Sequence, residues 1–176
     1  MSYPGYSSIF SCAQMDFTII ICPKYRLYIV FVSRLNSQTS VHVSWCPDPG
    51  ACAVDGFSFC LREFKPYTFP PFSLLGRILT KLKVKEVPDA LVIVPWWPTA
   101  HCYPPLFQLL VQCPILLPQW DELLTLPQEG FLHPLKDVMR LAVWYVSGIT
   151  YRSNEFLLGQ PAMCSSHGVQ GQKSSI

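Results

Sequence analysis

The sequence predicts an α/β fold around a mainly parallel sheet. Three observations carry that expectation. Residues 90–94 are a continuous apolar run of strand length, the pattern of a strand buried on both faces. Just before it, Leu74, Leu75, Ile78, Leu79 and Leu82 form one apolar stripe at helical spacing. After it come a second helical segment at 103–113 and a short strand at 114–117. Strand and helix alternating in this way imply parallel strands with helical crossovers.

The remaining elements follow from local chemistry. Residues 17–22 and 27–32 are β-branched and strand-like. Residues 33–56 are polar and turn-rich, with a turn at Asp48-Pro49-Gly50, where Pro presets φ and Gly accepts a positive one. Residues 55–60 suggest a short strand, and 66–71 a proline-broken loop. Ser73 is placed to cap the helix that follows. Gly76 weakens that helix by about 1 kcal/mol relative to Ala. Pro104 and Pro105 open the next helix, as their missing N–H groups allow. Leu135, Val138, Met139, Ala142, Val143 and Val146 read as a further helical stripe, over 135–146, stopped by Gly148. The Gly-, Ser- and Gln-rich end reads as a disordered tail.

Composition narrows the function. The chain has 176 residues, enough for one domain, and is 50% hydrophobic, enough for a sizeable core. Its net charge of +2 lacks the strong positive footprint of a free-standing nucleic-acid binder. The 8 cysteines occur without a signal-peptide pattern, so they read as reduced thiols of an intracellular, unsecreted protein, cytoplasmic or nuclear. No apolar run approaches the roughly 20 residues of a spanning helix, so no membrane partner is expected.

In open α/β sheets, ligands bind beyond the carboxyl ends of the strands. Two loops belong there: Phe69-Pro70-Pro71-Phe72, and the one containing Trp96 and Trp97. These loops carry a resemblance. FVSRLNSQ (31–38), VSWCPDPGACAVDGFSFC (43–60), YTFPPFSLLGRILTKL (67–82) and ALVIVPWWPTAHCYPPL (90–106) resemble a segment of the pol polyprotein of DIRS-type retrotransposons. That segment lies between the RNase H domain and the tyrosine recombinase. The likeness covers roughly 31–158 and divides the chain into an unmatched 1–28, a domain over 29–158 and a tail over 159–176. The segment is in turn similar to phage-type DNA adenine-N6 methyltransferases. It implies a partial methyltransferase-like, Rossmann-like sheet without a complete cofactor half.

Methyl transfer to an adenine amino group needs an acceptor for the amine protons, prolines that fix a backbone carbonyl, and an aromatic face to stack the flipped base. Pro70, Pro71 and Phe72 match the motif; Phe69, at the acceptor position, has no polar atom. The acidic position implied before FVSRLN falls on Ile29, and no Gly-x-Gly loop is present for S-adenosylmethionine. Loss of one such polar group removes roughly 10²–10⁴-fold of rate. The expectation is a noncatalytic segment of a retroelement polyprotein, with no cofactor or metal. S-adenosylmethionine would enter only if the site were active. The rest of the polyprotein and the element's DNA or RNA are the implied partners.

Other readings compete. Trp96 and Trp97 could stack bases while Arg77 and Lys81 contact phosphate, giving a nucleic-acid-binding accessory module. Core packing and a solvated helix edge are the plainer accounts of the same residues. Asp55-Gly56-Phe57-Ser58-Phe59 resembles the first strand of an RNase H fold, but no other carboxylates form a supporting pattern for metal. Cys46, Cys52 and Cys60 are spaced too irregularly for a zinc knuckle. A translated genomic remnant without function is the last alternative.

Overall fold

The computed structural model describes residues 27–32, 41–119 and 134–159. The expected strand at 17–22, the rest of FVSRLN beyond Val32 and the tail from 160 lie outside the described residues. Among the described residues seven strands form one sheet: β1 (Leu27–Val32), β2 (His42–Ser44), β3 (Ala53–Val54), β4 (Lys65–Thr68), β5 (Ala90–Pro95), β6 (Ile115–Leu116) and β7 (Leu141–Val146). Their order across the sheet is β3-β2-β1-β4-β5-β7-β6. β1 to β5 run parallel to one another, whereas β7 is antiparallel to both β5 and β6. The expected α/β class with a mainly parallel sheet is therefore present. Three helices accompany it among the described residues: α1 (Leu75–Val84), α2 (Tyr103–Gln108) and α3 (Thr150–Gly159).

Alternation along β5 and β7 builds two cores. Ala90, Val92 and Val94 of β5 face the same side as Val146, Trp144 and Ala142 of β7. The buried residues of α1 and α2 close that side, and Phe156 of α3 packs against it. On the other side, Leu91 and Ile93 meet Leu141, Val143, Leu117 and Met139. All six residues of β5 are buried, as the uninterrupted apolar run at 90–94 requires.

Several expected elements take another form. The helix expected over 135–146 is a turn at 134–138 followed by β7. Val138, part of the supposed stripe, is 77% exposed. When every position of 141–146 is apolar, a helical spacing can always be found in it; the β-branched and aromatic content decides for strand. The helix expected over 103–113 stops at Gln108, because Leu109 to Val111 pair with β7 instead: Ser147 N–H donates to Leu109 O at 2.8 Å and Val111 N–H to Tyr145 O at 3.0 Å.

The supposed strand at 55–60 is a turn after β3. Asp55 takes φ 60°, and its carboxylate accepts the Phe57 N–H at 2.9 Å. The proline loop at 66–71 begins as β4. Pro66 is tolerated there because it pairs with β1 alone, pairing with β5 starting only at Tyr67. Ser73 does not cap α1; it lies in a 3-10 turn, Phe72–Leu74, and no side chain caps the helix. The turn-rich 33–56 contains β2 and β3, so strands continue beyond β1 where an incomplete half was expected. Among the described residues no helix links β2, β3 and β4.

The end of α1 is held by a Schellman motif. Val87 N–H bonds Leu82 O at 3.0 Å and Glu86 N–H bonds Lys83 O at 3.1 Å. Glu86 supplies the left-handed residue, at φ 47°, where Gly is usual. Gly148 is required against this end: a Cβ there would lie 1.9 Å from Leu82 O.

Candidate functional site

β4 and β5 are parallel neighbours, so the loops leaving their carboxyl ends emerge at one edge of the sheet. Phe69-Pro70-Pro71-Phe72 follows Thr68, the last residue of β4, without a break. Pro71 has the extended φ/ψ of −51° and 137°, and its carbonyl accepts the Leu74 N–H at 2.9 Å, turning the chain into α1. Phe69 and Phe72 are half-buried and, with Tyr67, pack against the cluster of Leu91, Ile93, Leu141 and Val143. Phe69 therefore serves as a packing residue at the position where the resemblance expects a polar acceptor.

The second loop separates its two tryptophans. Trp96 is half-buried and turns toward the helix side, where it stacks on Trp144 with centroids 6.0 Å apart and an interplanar angle of 26°. Its N–H extends the ladder to Arg140 O at 2.7 Å. Trp97 is 44% exposed and lies edge-on to Phe72, with centroids 5.1 Å apart. The two loops thus meet through Phe72 and Trp97, and Trp96 belongs to the core.

Tyr103, at the start of α2, bonds the turn between them and β5. It is 2% exposed. Its hydroxyl donates to Pro95 O at 2.7 Å and accepts the Trp97 N–H at 2.6 Å. Burial pushes the phenol up to about 12; the Trp97 N–H pulls the other way and Cys102 adds to the rise. Sequence reading did not single this residue out. A buried Tyr implies a partner for its hydroxyl, but nothing in the sequence says which backbone groups will reach it.

Arg77 and Lys81 both lie against the turn at 57–59. The Arg77 guanidinium sits 4.2 Å from the centroid of the Phe57 ring. Lys81 Nζ donates to Phe57 O and Phe59 O, each at 2.6 Å. Burial lowers the Lys81 pKa, with Asp55 opposing and Lys85 reinforcing the shift. These contacts direct both cations to the turn after β3 rather than to the Trp96–Trp97 loop.

Ile29 is buried within β1, paired with His42 and Tyr67, and so lies inside the sheet rather than at its carboxyl edge. Of the two apolar replacements, Phe69 alone stands at the edge. Near the end of β1, Phe31 adopts φ 69° where the pairing with β2 shifts register, and its ring packs on Phe57 at 4.8 Å. A positive φ on a bulky residue is a strained conformation. Asp55 sits in the turn after the short edge strand β3, so it is not a central-strand aspartate of the kind the RNase H alternative needs. Cys46, Cys52, Cys60, Cys102 and Cys113 are free thiols.

Among the described residues no helix is long and apolar enough to cross a membrane. Compared with known protein families and with curated proteins, the chain matches none.

Proposed function

We propose that the chain is a noncatalytic, adenine-methyltransferase-like segment of a DIRS-type retrotransposon polyprotein. The observation that carries this reading is the place of Phe69: first residue beyond the carboxyl end of β4, opening a Phe-Pro-Pro-Phe turn into a helix, with its ring packed on the core. A motif at a strand's carboxyl end supports the reading, and Phe69 lacks a group that would accept the amine protons. The sheet supports the same reading. A mainly parallel sheet in which β7 alone runs against its neighbours is compatible with a Rossmann-like methyltransferase ancestry. The packing of Phe31 on Phe57 beside the end of β1 fits a cofactor side given over to structure.

The test is methyl transfer. The purified chain, given S-adenosylmethionine labelled in its methyl group and DNA with unmodified adenines, is expected to transfer none. Adenine methylation that disappears in Pro71→Ala would overturn the proposal.

A second reading is favoured by Trp97. Its exposed ring, edge-on to Phe72 at the mouth of the sheet, is a surface on which an unpaired base can stack. In this reading the segment keeps the base-facing edge of its fold and uses it to hold single-stranded nucleic acid without chemistry.

A further inference from the structure

We propose that the Tyr103 hydroxyl is the positioning group of this edge, fixing the Pro95-Trp96-Trp97 turn so that Trp97 stands as a preset surface for an unpaired nucleobase. The inference rests on the stacking reading of the edge.

The ring of Tyr103 cannot wander. It is caged by Trp96 at 6.2 Å, Trp144 at 5.4 Å and Phe107 at 6.2 Å between centroids, and Trp144 is itself fully buried. The hydroxyl is therefore fixed relative to the core. It has one proton to donate and lone pairs to accept with. The proton goes to the last carbonyl of β5, and a lone pair receives the N–H of Trp97. Between these two anchor points the chain reverses: Trp96 enters the core and Trp97 leaves it.

Without the hydroxyl, Trp97 N–H would keep only its bond to Pro95 O at 2.9 Å, two residues back. That three-residue turn and the bond from Ala100 N–H to Trp97 O at 2.8 Å would be the backbone hydrogen bonds left at Trp97. Trp97 would then lose one of its restraints and be less fully ordered when a base arrives. Ordering one such side chain costs about three- to tenfold in affinity. A tyrosine that merely satisfied its own hydroxyl could do so with one partner. Here the two partners flank the turn that aims the exposed indole.

The experiment uses the full chain labelled with 5-fluorotryptophan, whose signal for residue 97 is assigned by its loss in Trp97→Phe. Tyr103→Phe keeps the ring and removes the clamp. It is expected to shift or broaden the Trp97 signal. It should also weaken binding of a fluorescein-labelled single-stranded oligothymidylate at low salt by about three- to tenfold. An unchanged Trp97 signal, or unchanged affinity, would overturn the positioning role. A moved signal in a chain whose wild type binds no oligonucleotide supports the clamp and overturns the stacking surface. Should Tyr103→Phe not fold, amide exchange in the wild type decides the clamp. Slow exchange at Trp97, as in the core strands, supports it, and exchange at the rate of an open loop overturns it.

Discussion

At the scale of single residues, Tyr103 couples the aromatic core to the loop that leaves β5. Its titration offers a way to see that coupling in stability. In the unfolded chain a tyrosine ionises near pH 10. In the folded chain burial holds the phenol to about 12. The folded state therefore keeps a proton that the unfolded state releases. The stabilisation is fully present below the unfolded pKa and is lost as pH rises from about 10 through about 12. Urea unfolding across the alkaline range should show the wild type losing stability faster than Tyr103→Phe. Parallel pH profiles for the two proteins would mean that the buried hydroxyl contributes no such linkage. Residue scale is also where the sequence was least informative. Trp96 and Trp97 are chemically identical neighbours, yet one stacks on Trp144 and the other meets Phe72. Which of the two faces solvent is set by where β5 ends and by a hydroxyl six residues along the chain. Neither has a signature in the local pattern. Phe69, by contrast, was legible: an apolar side chain followed directly by two prolines has no polar atom to offer wherever the loop lies.

Among the elements, the turn after β3 and the helix α1 act as one unit. A parallel connection usually covers the sheet with a helix. Between β3 and β4 the chain instead uses residues 55–64, fastened to α1 by Lys81 and Arg77. The Asp55 carboxylate shapes the turn, and Gly56 lets it approach Val30 and Phe31, where an added Cβ would come within 2.5 Å of Val30. Lys81→Met keeps the aliphatic stem and removes both bonds to the turn. Bonds to a charged donor contribute about 1.5–3 kcal/mol each, and recovery of the ammonium's desolvation offsets part of that. We expect a net loss of about 1–2 kcal/mol in chemical denaturation, with faster proteolysis inside 55–64. Unchanged stability would show the turn to be held by Phe57 and Gly56 packing alone. The helix α1 could be read from its stripe, since Leu75, Ile78, Leu79 and Leu82 are all buried. β2 and β3 could not, because elements of three and two residues are too short to carry a period. Their strand character comes from pairing with β1, a tertiary fact. The Schellman end of α1 was equally hidden, because Glu86 rather than Gly occupies the left-handed position.

For the whole molecule, the sheet is unequal from one side to the other. β5 and β7 pair over six residues each and are buried between two cores. β2 and β3 pair at two positions, and β3 is an edge strand with Val54 43% exposed. Burial is what makes the opening of a strand costly, so stability should fall from β5–β7 toward β3. Native-state amide exchange tests this directly. The ladder amides of β5 and β7 should open only with global unfolding. On the other side, Cys52 N–H bonds His42 O at 2.9 Å and Asp55 N–H bonds Ser44 O at 2.8 Å; these amides should exchange through smaller openings, at least about tenfold faster. Uniform protection across the sheet would show that β1 to β3 fold as one cooperative unit with β5 and β7. The gradient has a functional side. The Phe72–Trp97 edge lies on the stable half, over β4 and β5. An edge that only stacks a base needs a rigid β5 and a clamped turn beyond it. Slow exchange at β5 and Trp97 beside faster exchange at Cys52 and Asp55 would place the rigid part of the sheet where the stacking edge needs it.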